Sequence, residues 1–243
     1  MVIYCNEIFS SIQGEGPLVG RRQIFIRLAG CNLACRYCDT PTGYNQYCRI
    51  EKTPGGRDFF NLPNPLAPEQ IAGLVRHFNP SLHHSVSLTG GEPLLHPGLL
   101  SDLIPGLPAT REGIVLETNG TLPGNLEQVA GLIDYISMDI KLSNTGQSVP
   151  WEAHRLFLTL ASARRVFVKV VVSRDTPPGE ITAAAGLIAQ INEKVPLIMQ
   201  PATPAGGVRP ASPAVMLELQ LMALQYLNDV RIIPQTHALM RYL

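Results

Sequence analysis

The sequence predicts an α/β protein in which strands and helices alternate to form a partial, open barrel of about six β/α units. Short apolar runs alternate with stretches of helical periodicity, and most of the runs are rich in Val, Ile and Leu, as in strands covered on both faces. This alternation favours a parallel sheet with right-handed crossovers. About six repeats are too few for a closed eight-stranded barrel.

The elements follow in order along the chain. Strands are predicted at 23–29, 85–89, 113–118, 135–140, 165–172 and 195–200. Helices are predicted at 68–78, 95–104, 125–133, 151–163, 179–193 and 212–227. Pro68 and Glu69 favour the start of the first helix, because proline and a carboxylate both suit a first helical turn.

Two segments interrupt this alternation of strands and helices. Residues 42–66 hold several prolines and glycines with little periodicity, which predicts an inserted surface loop and a candidate lid. Residues 201–213 predict a second loop for the same reason. The remaining pattern is continuous, so we expect residues 1–243 to form a single domain around one core.

Composition excludes several classes of function. The 243 residues carry a formal net charge of zero, so electrostatics gives no reason to expect a nucleic-acid partner. No apolar stretch approaches the roughly 18 residues that a membrane-spanning helix needs. The beginning of the sequence lacks the basic flank and apolar run of a signal peptide. We therefore expect a cytoplasmic protein without a membrane partner.

Three of the five cysteines form a C-x3-C-x2-C cluster, Cys31, Cys35 and Cys38, directly after a predicted strand. Thiolates are soft ligands that usually hold iron–sulfur clusters or zinc. Three ligands leave one metal position open, whereas four would close a structural site. The spacing leaves three hypotheses open: a cluster, a zinc site with Cys48 as fourth ligand, or cysteines without a role. Cys5 has no assigned role.

A glycine motif, TGGEP at Thr89–Pro93, follows the next predicted strand. Two glycines let the backbone approach a ligand closely, and Glu92 offers an acceptor for an ammonium group. The motif alone could be a tight turn. Together, the cysteine triplet and this motif resemble the signature of the radical S-adenosylmethionine (SAM) superfamily.

The resemblance implies a radical SAM barrel with a [4Fe–4S] cluster. Three cysteines would bind three irons, and the fourth iron would be chelated by the amino and carboxylate groups of SAM. Reductive cleavage of SAM would give methionine and a 5′-deoxyadenosyl radical, so that the cofactor carries the chemistry and no acid or base is assigned.

Four further stretches of sequence resemble one particular family within this superfamily. SIQGEG at 11–16, CDT at 38–40, ETNG at 117–120 and PQTH at 234–237 resemble the 7-carboxy-7-deazaguanine synthase family. This resemblance implies a carbon–nitrogen lyase of queuosine biosynthesis, a tRNA modification pathway. It would contract the ring of 6-carboxy-5,6,7,8-tetrahydropterin to 7-carboxy-7-deazaguanine with loss of ammonia. A homodimer, Mg2+ and a flavodoxin or ferredoxin electron donor are implied as well.

The resemblance also assigns roles to individual residues. The substrate would be bound by Ile12, Gln13, Gly14, Glu15, Arg27, Thr89, Glu117 and His237. SAM would be bound by Tyr37, Cys38, Asp39, Gly91, Glu92, Asn119, Ser137, Asp139, Lys141, Gln200 and Pro201. The metal ligands would be Cys31, Cys35 and Cys38 for the cluster and Thr40 for Mg2+.

Residue chemistry agrees with several of these roles. Arg27 can pair with a substrate carboxylate through two hydrogen bonds, and Glu15 and Glu117 suit a guanidine-like edge with paired N–H donors. A hydroxyl such as that of Thr40 is a weak but acceptable ligand for a hard cation. Without the resemblance, Arg27 could equally be a surface arginine, Thr40 a capping hydroxyl and His237 a structural histidine.

Two alternative functions remain open at this level. An activating enzyme for a glycyl-radical enzyme shares the cysteine and glycine motifs but has no need of SIQGEG, Arg27 or QTH. A zinc-stabilised binding module would need Cys48 as much as Cys31. For the radical enzyme, Arg21, Arg22 and Arg36 are candidates for docking an acidic electron donor.

Overall fold

The computed structural model describes residues 2–242, and within them ten strands form one sheet. In chain order they are β1 (Cys5–Ile12), β2 (Arg22–Leu28), β3 (Tyr47–Glu51), β4 (Phe59–Pro63), β5 (Ser85–Gly90), β6 (Ile114–Thr118), β7 (Tyr135–Asp139), β8 (Arg165–Val172), β9 (Leu197–Pro201) and β10 (Val230–Ile232). The spatial order is β10-β9-β8-β7-β6-β5-β2-β1-β3-β4. Strands β2 and β5 to β10 are parallel, so the six predicted strands are confirmed as consecutive neighbours.

Helices alternate with the parallel strands. They are α1 (Pro68–Arg76), α2 (Pro97–Leu103), α3 (Pro123–Val129), α4 (Trp151–Ala161), α5 (Pro178–Asn192), α6 (Pro213–Ala223) and α7 (Thr236–Met240). Five of them begin with a proline, which fits the first helical turn because no hydrogen bond is lost there. The first six match the predicted helices. Their buried faces pack on the sheet in one continuous apolar core. No helix within residues 2–242 is both long and apolar enough to cross a membrane.

The prediction of an irregular loop at 42–66 is wrong, and its role as a lid stays a prediction. This segment contains the antiparallel hairpin β3–β4, and β3 adds to the edge of the sheet parallel to β1. Cys48 and Ile50 are buried while Arg49 between them is exposed, the period of two that a half-buried strand requires. The strands are only five residues long, and the prolines and glycines around them masked this short period in the sequence.

The sheet curls into a partial barrel without closing its strand pairing. Four strands lie between β1 and β8 in the sheet order, yet Glu15, which follows β1, forms an ion pair with Lys169 in β8. Gly16 has a φ of +63° and lies against Phe167, whose ring would be 2.4 Å from a Cβ at this position. The predicted open barrel is therefore confirmed, and its gap is closed by side chains and by the turn after β1.

Candidate active site

A cleft of about 390 Å³ lies inside the curled sheet and gathers most of the predicted site residues. Those that line it are Ile12, Gln13, Gly14, Glu15, Arg27, Cys31, Cys35, Tyr37, Cys38, Asp39, Thr40, Thr89, Gly91, Glu117, Asn119, Ser137, Asp139, Lys141, Gln200 and His237. Glu92 and Pro201 do not line it. Side chains that are up to 225 residues apart in sequence are thus brought together by the topology of the sheet.

The cysteine loop follows β2 and forms one wall of the cleft. Cys31 and Cys35 are half-buried and Cys38 is exposed, and all three thiols are free. Burial raises the pKa of the Cys31 and Cys35 thiols. The loop is fastened at Arg36, whose backbone N–H donates to the carbonyl oxygen of Thr145 at 3.0 Å. Three free thiols on one loop beside a large cleft are the donor set that an iron–sulfur cluster requires.

Cys48 lies elsewhere. It is fully buried in β3 and neighbours Cys5, whose pKa is raised by burial and further by Cys48. Across residues 2–242, no three side chains of the His, Cys, Asp or Glu type come together closely enough to hold a single metal ion. The hypothesis of a zinc site with Cys48 as fourth ligand is therefore wrong, because that thiol belongs to the core beside β1.

The glycine motif packs directly against the start of the cysteine loop. A Cβ on Gly91 would lie 1.7 Å from the carbonyl oxygen of Gly30. In the available space, the N–H of Gly91 donates to the carbonyl oxygen of Leu28 at 3.1 Å, and the N–H of Glu92 donates to that of Gly30 at 2.8 Å. The absence of a side chain therefore lets the end of β5 fix the loop that carries the cysteines.

The Glu92 carboxylate does not reach the cleft, in contrast to its predicted contact with the SAM amino group. Its Oε1 accepts from the Leu94 N–H at 3.0 Å and the Thr118 hydroxyl at 2.8 Å, while Oε2 accepts from the Asn119 N–H at 2.7 Å. Burial raises the pKa of Glu92 against the opposing effect of these donors. The side chain thus connects the ends of β5 and β6, and positions Asn119 at the cleft.

A second group of polar side chains lies inside the barrel. Gln13 connects the Glu117 carboxylate to the backbone of Glu15: its Nε2 donates to Glu117 Oε1 at 2.8 Å, and its Oε1 accepts from the backbone N–H of Glu15 at 3.0 Å. Hydroxyl groups of Ser87 and Thr89 also donate to Glu117, each at 2.8 Å. The Glu117 carboxylate is therefore held by neutral donors and lacks an ion-pair partner in the described chain.

Arg27 lies beside the cysteine loop. Its Nη1 donates to the hydroxyl oxygen of Thr40 at 3.3 Å, and its Nε donates to Glu7 Oε2 at 3.3 Å. Glu7 is shared with Arg49, whose Nη1 lies 2.8 Å from Glu7 Oε1. Two guanidinium groups thus share the Glu7 carboxylate, while the Thr40 hydroxyl donates to Asp39 Oδ1 at 3.1 Å.

The segment before and within α7 completes the cleft next to Gly14. The N–H of Thr236 donates to the carbonyl oxygen of Gly14 at 2.9 Å, and the His237 ring occupies the space that a Cβ on Gly14 would take. Gln235, which the sequence analysis did not select, donates through Nε2 to Glu15 Oε1 at 2.7 Å and to Asp39 Oδ2 at 3.0 Å. Gln235 lies in the PQTH stretch, so the motif could have identified it as a site residue.

Lys169 is the main cleft residue that the sequence analysis missed. Its ammonium group pairs with Glu15 and lies 3.4 Å from Asp139 Oδ2, which also pairs with Lys141 Nζ at 2.8 Å. Burial alone would raise the pKa of Glu15, but the charge and hydrogen bond of Lys169 lower it to about 2. The available signal was a single lysine within the apolar run RVFVKVVV.

Buried polar atoms without a partner indicate where a ligand belongs. Within the described residues these include Asp139 Oδ1, Gln200 Oε1 and the Tyr37 hydroxyl, all on residues that line the cleft. Such atoms are normally hydrogen-bonded, so a polar ligand is expected there. The ribose hydroxyls, adenine amine and ammonium group of SAM supply suitable partners. Pro201 follows Gln200 but turns away from this region.

The fold and site together define a radical SAM enzyme. A partial β/α barrel carries three cysteines after its first parallel strand and a glycine motif after the next, and the model of the Radical SAM superfamily matches residues 25–150. A [4Fe–4S] cluster and SAM are its cofactors, and the free thiols and unpartnered polar atoms of the cleft fit them.

Within this superfamily, the chain belongs to the 7-carboxy-7-deazaguanine synthase family. It is 48% identical to the enzyme of that name from Geobacter sulfurreducens, over 97% of this chain and 96% of the relative. It is 38% identical to the one from Methanothermobacter thermautotrophicus, over 95% and 94%.

Solved structures agree on the fold. The crystal structure of QueE from Escherichia coli aligns with a TM-score of 0.62 at 22% identity, covering 98% of this chain and 95% of that one. A radical SAM methyltransferase from Sphaerobacter thermophilus aligns with a TM-score of 0.59 at 14% identity, covering 88% of this chain and 66% of that one.

Proposed function

We propose that the protein is a 7-carboxy-7-deazaguanine synthase that converts 6-carboxy-5,6,7,8-tetrahydropterin to 7-carboxy-7-deazaguanine, with loss of ammonia, in queuosine biosynthesis. The observation that carries the proposal is the charge pattern of the cleft. Glu117 is a carboxylate held by neutral donors only, whereas Arg27 is a cation that lines the same cleft and shares its carboxylate partner, Glu7, with Arg49. A molecule with paired N–H donors at one end and a carboxylate at the other matches both.

Each group of side chains then has a task. The carboxylates of Glu117 and Glu15 would accept the N–H donors of the pterin ring, and Gln13 bonds the Glu117 carboxylate and the Glu15 backbone. Arg27 would bind the substrate carboxylate, and Thr40, 3.3 Å from Arg27 Nη1, would ligate a Mg2+ ion that shares this carboxylate. His237 would contact the ring from the side of Gly14. When bound, the cluster and SAM supply the carbon radical that removes the hydrogen atom from C6 of the substrate.

The SAM-binding role is proposed for the cysteine side of the cleft. Tyr37, Asp139 and Gln200 each carry a buried polar atom that has no hydrogen-bond partner among the described residues. Cys38, Asp39, Gly91, Asn119, Ser137 and Lys141 line the same wall. Glu92 is proposed to act by positioning Asn119, because its side chain is buried and does not line the cleft.

A flavodoxin or ferredoxin is proposed as the electron donor, but the docking face is smaller than the sequence indicated. Arg21 and Arg22 lie at the start of β2, whereas the cysteine loop follows its end, seven residues and about 23 Å away. Of the three arginines, the exposed Arg36 alone lies on the loop itself. We also propose a homodimer, and a cytoplasmic location because the cluster thiols need a reducing compartment.

The test is an anaerobic turnover assay on the iron-reconstituted protein with SAM, a reductant and 6-carboxytetrahydropterin, with products identified by mass. We expect 7-carboxy-7-deazaguanine and 5′-deoxyadenosine. Glu117→Gln should greatly reduce turnover, while Glu127→Gln on an exposed helix face should not. Formation of 5′-deoxyadenosine without the deazaguanine would overturn the substrate and leave the radical SAM chemistry intact, as the alternative activating-enzyme function requires.

A further inference from the structure

We propose that Lys169 is a positioning residue for the substrate: it holds the Glu15 carboxylate in place and ties it to Asp139 on the SAM side of the cleft. This inference rests on the proposed function of the cleft and adds to it a residue outside the cysteine, glycine, SIQGEG and QTH motifs. Its basis is the position of one buried ammonium group between two carboxylates.

The environment of Lys169 explains why it must act through other groups. Its side chain is only 11% exposed, on a strand whose neighbouring residues are almost all buried and apolar. A buried ammonium group is costly unless it is paired, and here Glu15 and Asp139 provide the pairing. The same contacts satisfy the carboxylates, so neither is left as an isolated buried charge.

Glu15 is fixed by Lys169 at one oxygen and by amides at the other. Oε2 accepts from Lys169, while Oε1 accepts from Gln235 Nε2 at 2.7 Å and from Gln200 Nε2 at 3.2 Å. The charged donor is the only cation among these partners, with the His237 ring nearby. Lys169 is therefore the main group that keeps this carboxylate ionised and oriented to accept N–H donors of a bound pterin.

Asp139 depends on Lys169 much less. It lies 3.4 Å from Lys169 Nζ but 2.8 Å from Lys141 Nζ, and the second contact has hydrogen-bond geometry. Loss of Lys169 would leave Asp139 with a cationic partner, whereas Glu15 would have none. Loss of the Lys169 ammonium group should therefore weaken pterin binding more than SAM binding.

A double-mutant cycle tests this role without turnover. Binding of 6-carboxytetrahydropterin and of SAM is measured by anaerobic equilibrium dialysis, in the absence of a reductant, for Lys169→Met, Glu15→Gln and the double variant. We expect at least a tenfold loss of pterin affinity at pH 7 in Lys169→Met and less than a threefold change for SAM. The double variant should bind pterin no more weakly than Glu15→Gln, because Lys169 acts through Glu15.

The pH profile separates positioning from a general structural effect. In the parent protein Glu15 is ionised throughout pH 5–8, since its pKa is about 2. In Lys169→Met its pKa rises, so the ionised fraction and pterin affinity should increase with pH. His237, Asp39, Asp139 and Lys141 are the other titratable groups near Glu15, and all four are retained in both proteins.

The controls keep each outcome decisive. Lys194→Met removes an exposed lysine and should leave both affinities unchanged. If the single Lys169 variant does not fold, the double variant, which carries no unpaired Glu15 charge, still reports the coupling against Glu15→Gln. Pterin binding by Lys169→Met at the parent level, or losses that multiply in the double variant, would overturn the inference. Failure of the parent protein to bind pterin would instead overturn the proposed function.

Discussion

Glu92→Gln distinguishes a positioning carboxylate from a ligand-binding one. The substitution keeps the side-chain shape, and the amide oxygen can still accept from the Leu94 N–H and the Thr118 hydroxyl. Its NH2 group then faces the N–H of Asn119, which loses its acceptor. The lost charge-assisted bond costs about 1.5–3 kcal/mol and the unpaired donor about 1–3 kcal/mol, while relief from burying a charge opposes both. We expect a net loss of about 3 kcal/mol in the free energy of unfolding.

Thermal unfolding of the apoprotein without SAM measures this effect. A loss of this size should lower the melting temperature by roughly 6–12 °C in a protein of this length. Glu127→Gln, on an exposed position of α3, is the matched control and should melt with the parent. If Glu92→Gln also melts with the parent and only its SAM affinity falls, Glu92 is a direct ligand and the positioning role derived from its three hydrogen bonds is refuted.

Three further predictions concern the same framework. Gly91→Ala should displace the backbone at Gly30, which should lower the free energy of unfolding by about 1–3 kcal/mol and abolish SAM binding in equilibrium dialysis. Gly124→Ala is the control, because Gly124 has open space around it, and it should change neither quantity. Cys48→Ala should retain the visible absorption of the reconstituted cluster, and Ala at any of the three loop cysteines should lose it; equal loss in all four would make Cys48 a fourth ligand and contradict the open iron position. Burial lowers the pKa of His154 to about 4, so the unfolded state binds more protons below pH 6.5 and stability should fall by roughly 3 kcal/mol between pH 6.5 and 4. Urea titrations of His154→Gln should show a shallower fall, and an unchanged slope would assign the acid sensitivity to other groups.

The parallel half of the fold could be predicted because its strands carry a strong local signal. Each of the six predicted strands is largely buried and carries apolar residues at alternate positions or in longer runs, and four of the five helices between them begin at a proline. Strands β1, β3, β4 and β10 were not predicted, because they are short or interrupted by polar residues such as Asn6, Glu7 and Arg49. Their structure comes from pairing with a neighbouring strand, a contact that local periodicity does not encode.

The cleft was predictable where its residues fall in motifs, and unpredictable where their roles depend on distant partners. Lys169 is one lysine in an apolar strand, and its partner Glu15 lies 154 residues earlier in the chain. Glu92 shows the opposite case, in which the motif was found but the hydrogen bonds that its carboxylate accepts from Thr118 and Asn119 could not be predicted from it. Both outcomes have one physical cause. A buried charge must be neutralised or hydrogen-bonded, and the curvature of the sheet determines which side chain lies close enough to do so. A motif therefore identifies a residue that the cofactor chemistry requires, while the charge balance of the folded cleft decides whether that residue meets the ligand or holds another residue that does.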